Sequence, residues 1–357
     1  MTVARSVLVD ESKPGFYHCI SRCVRRAHLC GEGYEHRQDW IQDRLKELAD
    51  IFAIDVCGYS VLVNHSHLVL HTDPHRVASW ADMEVVRRWR NLFPKRNKSG
   101  TIIPPTDQQL SQLAADTKTV ELWRKRLSSL SWFMRTLKEP IARRANKEDG
   151  CTGRFWEGRF KCHALLDDAA LLACCVYVDL NQIRAGQSDT PEASHHTSVQ
   201  DRIEHRRNHA KTEAMLQGPR LHGQSISTVS ADLVNGAEDG IWLAPIRRNA
   251  MESAGGNGSQ SRVGISHLNL DQYLQLVDAT GRIVRGDKAG AIPQELLPIL
   301  DRLAIDADQW FKSMRSTRRM LGTAIGSAKS LAVEAARRGT KWVVSALDVY
   351  RKQAVII

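Results

Sequence analysis

No run in the 357-residue chain approaches the roughly 20 consecutive apolar residues that a bilayer-spanning helix needs. A membrane partner is therefore not expected. The opening stretch, MTVARSVLVDESKPG, has charges on both sides of a short apolar patch and lacks the long apolar core of an export signal. Export is not expected, and the cytoplasm is the default location. Eight cysteines are present but follow no regular framework, and a chain this long does not need disulfide staples. The C-x2-C spacing of a zinc knuckle is also missing. Cys19, Cys23 and Cys30 with His18 could be assembled into a zinc site on paper, yet Cys19 and Cys23 alternate on a strand as core residues do. What the chain has in excess is positive charge. With 50 Lys and Arg against 40 Asp and Glu it carries a formal +10 and a pI near 9.3, which favours a polyanionic partner.

From Gly15 to about Gly186 the sequence is densely patterned. FYHCISRCV alternates as a strand does, and EHRQDWIQDRLKELADIF places Ile41, Leu45, Leu48 and Phe52 on one helical face. IDVCGYSVL and HSHLVLH read as adjacent strands. VASWADMEVVRRWRNLF reads as a helix with a basic face, followed by the connection PKRNKSGTIIPP. A long amphipathic segment then repeats Trp123, Leu127, Leu130, Met134, Leu137 and Ile141, and Pro140 is expected to kink or end it. DDAALLACCVYVDLNQIRAG reads as an acid-started helix closed by Gly186. This strand–helix–strand–strand–helix–strand order predicts an α+β fold, an antiparallel sheet with helices packed on it. Residues 1–190 form the expected first domain, 191–262 a polar connector with some helix, and 263–357 a mainly helical C-terminal region. There KSMRSTRRML and EAARRGTKW could grip nucleic acid or simply complete a helical bundle.

Within GYSVLVNHSHLVLHTD, His65 and His67 interrupt an otherwise apolar strand. Residues two apart on a strand share a face, with Cα atoms roughly 6.5 Å apart. Two imidazoles so placed can converge on one divalent ion and leave room for phosphate oxygens and water. The plainer alternative is that both rings bond neighbouring backbone. A histidine-triad hydrolase would need a third histidine where Val69 stands. Far downstream, Tyr177 and Asn181 stand four apart and so share a helical face. A phenol beside a carboxamide that could give a third metal oxygen suits a phosphoryl-transfer nucleophile with its metal alongside.

In order, YHCISRCVRR, VNHSHLVLH, GRFWEGRFK and YVDLNQIRAG resemble the motifs of the HUH single-tyrosine transposases, most closely the REP-associated tyrosine transposases. The resemblance covers Gly15 to Gly186. It implies a ferredoxin-like HUH nuclease core in which His65, His67 and Asn181 hold Mg2+ or Mn2+ and Tyr177 attacks DNA. Two departures stand out: Ser66 replaces a bulky residue between the histidines, and Gln182 replaces the proline usual after Asn181.

Such chemistry makes a 5′-phosphotyrosine and a free 3′-hydroxyl, conserving the energy needed to rejoin strands. The substrate would be single-stranded or hairpin DNA, which implies nucleoid association. Concerted excision and insertion would call for two sites, hence a homodimer. Arg22, Arg25 and Arg26, with Arg154, Arg159 and Lys161, are the expected DNA contacts. Arg87, Arg88, Arg90, Arg143 and Arg144 add further cationic helix faces. Phe155 and Trp156 could stack bases or belong to the core. Two rival readings remain, a hairpin-binding relative that no longer cuts, and a metal-dependent phosphoesterase that forms no covalent adduct.

Overall fold

The computed structural model describes residues 5–216, 241–247, 262–285, 324–340 and 343. A short helix α1 (Arg5–Leu8) leads to strand β1 (Gly15–Arg22), helix α2 (His36–Ile51) and the hairpin strands β2 (Ile54–Val61) and β3 (His65–Thr72). Helices α3 (Pro74–Ala78) and α4 (Asp82–Leu92) precede a two-stranded ribbon, β4 (Lys95–Arg96) and β5 (Ile102–Ile103). Helices α5 (Asp107–Ala114), α6 (Thr117–Leu127) and α7 (Leu130–Glu148) return the chain to β6 (Lys161–Leu165). Then come α8 (Asp168–Asp179), α9 (Asn181–Arg184), α10 (Ser198–Leu216), α11 (Leu270–Arg285), β7 (Ala324–Ile325) and α12 (Ala328–Arg337).

The main sheet runs β2-β3-β1-β6-β7. Its first four strands pair antiparallel, as expected from the sequence. β7, however, runs parallel to β6, pairing Ala164 with Ala324 and Leu165 with Ile325, so the sheet is mixed rather than wholly antiparallel. The outer edge of β6 would otherwise present unpaired backbone groups. The returning chain covers it, and the Leu166 N–H donates to the Ile325 carbonyl.

Alternation along the strands gives the sheet two different faces. On one, Tyr17, Cys19, Leu68, Leu70, Cys162 and Ala164 pack into a core with α2, α4, α6 and α7. On the other, Val69 and Leu165 pack against α8 and α11. Helix α8 starts where Asp167 accepts from the Ala170 N–H, and its apolar residues bury on all sides, as a helix sandwiched between layers requires.

The long amphipathic segment is two helices, broken at Ser128–Ser129, and Pro140 lies inside α7 without ending it. Proline removes the N–H that would have satisfied the Thr136 carbonyl. Arg44 Nε donates to that carbonyl instead, at 3.2 Å, so the helix continues.

Within 187–262, α10 docks on β2. Ser198 Oγ accepts from the Tyr59 N–H at 2.9 Å, and buried Arg202 donates to the Cys57 and Ala244 carbonyls. KSMRSTRRML lies outside the described residues, as does most of ESAGGNGSQSRVG. In EAARRGTKW, Arg337 and Arg338 both bond Glu334, and Arg337 also bonds the Val7 carbonyl. No helix among the described residues is long and apolar enough to cross a membrane.

Asp179 ends α8 fully buried and joins it to two other helices. It accepts from Ser198 Oγ, from the Val199 N–H at 3.1 Å and from Tyr273 Oη at 2.5 Å. Burial pushes its carboxyl up to about 6, against the pull of those bonds. Asp179→Ala, which strands three buried donors, should therefore lower unfolding free energy by about 2–4 kcal/mol in urea titrations, and Asp179→Asn by less.

Candidate active site

Register decides which side chains meet. His67 lies opposite Ile20, His65 opposite Arg22 and His18 opposite both Val69 and His163. Residues paired across strands point to the same face, so His65 and His67 share their face with His18, His163, Arg22 and Lys161. Ser66 points to the other face, opposite Ser21.

The His65 and His67 ring centroids are 5.0 Å apart. Each ring has its Nδ1 engaged and its Nε2 left. Asn64 Nδ2 donates to the Arg26 carbonyl at 3.1 Å, which fixes the orientation of its amide. Asn64 Oδ1 must then accept, 2.6 Å from His65 Nδ1, so the proton sits on Nδ1 and the lone pair on Nε2. His67 Nδ1 meets His18 Nε2 at 2.8 Å in a fully buried contact. When His67 donates there, its Nε2 is a free donor as well. Metal-ligating imidazoles are held in this way, one nitrogen on the protein and the other on the ion.

Burial keeps these rings neutral. His65 is lowered to about 4 by desolvation and by Arg22, and His163 to about 4 by desolvation and Lys161. His18 and His67 are driven well below the ordinary imidazole range, chiefly by burial. A neutral imidazole is the form that ligates metal.

Tyr177 stands over this face. Its ring meets His67 edge-on, centroids 5.5 Å apart at 83°, and lies 6.0 Å from His18. α9 follows α8 almost without interruption, with the Arg184 N–H bonded to the Leu180 carbonyl, so Asn181 follows Tyr177 by one helical turn. Burial raises the phenol's pKa. Arg184, Asn181 and Arg22 act the other way and favour the phenolate. The Arg184 guanidinium lies 4.9 Å from the centre of the phenol ring.

The polar atoms around Tyr177 bear on a metal. Among the described residues, buried His18 Nδ1 and Ser60 Oγ have no hydrogen-bond partner, and Ser60 faces His67 across the β2–β3 pair. Such buried orphans are uncommon and point to a group that completes them. A divalent ion could take two Nε2 atoms beside a carboxamide that can turn its oxygen inward, imidazole suiting borderline ions and the amide oxygen harder ones. Among the described residues no three His, Cys, Asp or Glu side chains form a metal cluster, so the third donor would be Asn181. The alternative zinc set does not assemble. His18 and Cys19 point to opposite faces of β1, and the Cys23 thiol bonds Cys30 within the far core.

All six predicted DNA-contact cations come to one end of the sheet. Arg22 ends β1 opposite His65, and Arg25 and Arg26 follow it, exposed and in the left-handed region at φ 55° and 57°. The loop carrying Arg154 and Arg159 lies against this turn, with the Val24 N–H on the Phe155 carbonyl and the Glu157 N–H on the Arg22 carbonyl. Lys161 is exposed at the start of β6. Phe155 is buried, and the half-buried Trp156 bonds the Lys138 carbonyl, so both serve packing. Arg88 bonds Glu84, Arg143 bonds Glu139, and Arg144 lies over Trp40, all in the layer on the opposite face. Gln182 is buried and donates to the Val61 and His195 carbonyls, a bond that proline in its place could not make.

Sequence reading missed His163, Asn64 and Arg184, and weighed His18 only as part of a zinc set. Arg184 was discoverable, since Tyr177, Asn181 and Arg184 follow the four-and-three spacing of one helical stripe. His18 and His163 are lone histidines in separate strands, and only the register joins them.

No protein-family pattern matches the chain, and no curated protein matches it. Among solved structures it is similar to a REP-associated tyrosine transposase bound to a REP hairpin, with 13% identity and a TM-score of 0.34. The match covers 57% of this chain and 86% of that one. A likeness at that level supports no inference about chemistry.

The neutral imidazoles make stability depend on pH. His65 and His163 have folded pKa values of about 4, below the ordinary 6.5, so the unfolded chain binds more protons between those values. Each ring should remove on the order of 3 kcal/mol of stability between pH 6.5 and pH 4, while Asp179, raised to about 6, returns a similar amount below pH 6. Urea titrations across that range should show a net decline, which His163→Gln reduces by one ring's share and Asp179→Asn steepens.

Proposed function

We propose that this protein is a metal-dependent DNA strand transferase of the HUH tyrosine type, nicking and rejoining single-stranded DNA at hairpin-containing repeats. The observation that carries this reading is the Tyr177 phenol set edge-on against His67, beside two imidazoles whose Nε2 atoms remain free. The four ordered motifs agree with it, since three of them contribute to neighbouring strands of one sheet and the fourth carries Tyr177 against His67.

His65, His67 and Asn181 would hold Mg2+ or Mn2+. When bound, the ion supplies polarisation of the scissile phosphate and neutralises charge developing on it. Tyr177 Oη attacks phosphorus, an O–P bond forms, and the bond from phosphorus to the 3′-oxygen breaks. The phenol's proton is lost and the departing 3′-oxygen gains one, leaving a 5′-phosphotyrosine. The reverse sequence rejoins strands without an external energy source. Burial opposes ionisation of the phenol, so Arg184 and Arg22, which favour phenolate, assist the attack. Arg22, Arg25, Arg26, Arg154, Arg159 and Lys161 grip the backbone at the mouth of the site. Each nucleophile holds one strand end, so concerted excision and insertion would use a homodimer.

One observation favours the second reading, a hairpin binder that does not cut: Tyr177 is only 6% exposed. A single gel decides between them. Labelled single-stranded hairpin incubated with Mn2+ should give a covalent band on a denaturing gel, absent in Tyr177→Phe and lost at least 100-fold in His67→Ala. Binding without a band supports the second reading. Product released by Tyr177→Phe at the unaltered rate would instead mark a phosphoesterase.

A further inference from the structure

Between α4 and α5 the chain forms a β-ribbon that the proposed chemistry does not use. Lys95 pairs with Ile103 and Arg96 with Ile102, and every residue from Lys95 to Pro104 is exposed. Its turn is built from its own bonds. The Asn97 N–H donates to the Thr101 carbonyl and the Gly100 N–H to the Asn97 carbonyl, while Asn97 Oδ1 accepts from the Thr101 N–H. Gly100 takes φ 85°, and Arg96 closes the loop on the Gly100 carbonyl. Pro94 on one side and Pro104–Pro105 on the other stiffen both ends. A projecting two-stranded ribbon is marginally stable in water, and this one exposes about half of Ile102 and of Ile103.

Two features identify what would cover it. From Phe93 to Thr106 the chain carries Lys95, Arg96 and Lys98 and no acidic residue. Cross-strand partners share a face, so one side of the ribbon presents Lys95 with Ile103 and the other Arg96 with Ile102. A membrane surface requires the apolar groups on one side and the charges on the other, which this arrangement denies. A nucleic-acid groove has phosphates on both walls and, between them, base edges that offer hydrogen-bonding groups and thymine methyls, and the major groove is wide enough for a two-stranded ribbon.

We infer that the β4–β5 ribbon is a second nucleic-acid contact, inserting into the groove of a double-stranded stem. It rests on the nucleic-acid reading for its partner but not on Tyr177 chemistry. Fluorescence anisotropy of the full chain with a labelled DNA hairpin, titrated at several salt concentrations, tests it. The combined Lys95→Ala, Arg96→Ala and Lys98→Ala variant changes exposed side chains, and the Asn97 bonds to Thr101 hold the turn once the Arg96 bond to the Gly100 carbonyl is lost. It should bind the hairpin roughly 10- to 100-fold more weakly at physiological salt, with a salt slope shallower by about 2.7, or 0.9 for each lost phosphate contact. Ile102→Thr with Ile103→Thr should weaken binding while leaving the slope as it was. Both variants should form the covalent adduct on a stemless single strand as the unaltered protein does. Equal affinity and slope in the triple variant overturn the ribbon proposal alone, and would turn attention to a protein partner. Failure of the unaltered protein to bind any hairpin would remove both the ribbon and the nucleic-acid reading.

Discussion

An imidazole has two nitrogens, and the site depends on which of them the protein occupies. The 2.8 Å contact of His67 Nδ1 with His18 Nε2 occupies one nitrogen of His67 and directs the other outward. Asn64 does the same for His65, and the Arg26 carbonyl settles which end of Asn64 faces the ring. Neither ring is free to turn away. Burial then removes the competing proton, leaving two neutral donors on one face of a sheet.

The rest of the fold brings a phenol to that face and holds it there. Helix α8 is apolar throughout, lies between the sheet and α11, and has its end fixed by Asp179 through bonds to Ser198 and Tyr273. Residues far apart in sequence, beyond the first 190, thus help to place Tyr177. The same Asn64 that orients His65 also anchors the turn that presents Arg25 and Arg26, so the imidazole and the two arginines share one support. On the opposite face, α4, α6 and α7 build a separate core, and the ribbon projects from the chain between α4 and α5.

Much of this was legible because it is periodic. Alternation placed His65 and His67 on one face of β3, and the helical period placed Tyr177 above Asn181. The antiparallel pairing of the four-stranded core followed from element order. Long-range pairing left no such trace. Nothing local in KCHAL or GTAIG signals that Ala324 and Ile325 extend the sheet in parallel, because a two-residue strand has no period. Pro140 read as a helix stop because its rescue, Arg44 on the Thr136 carbonyl, comes from another helix. Gln182 read as a departure from the family pattern, whereas its carboxamide ties α9 to β2.

The central claim is that the Nε2 atoms of His65 and His67 face a common point where one divalent ion binds beneath Tyr177. Electron spin-echo envelope modulation of Mn2+ bound to the protein reads this directly, because imidazole nitrogens on the ion modulate the echo. Two coupled nitrogens in the unaltered protein, one in His65→Ala and two retained in Tyr177→Phe would agree with the geometry. Bound Mn2+ with no nitrogen coupling, or coupling unchanged in His65→Ala, would contradict it.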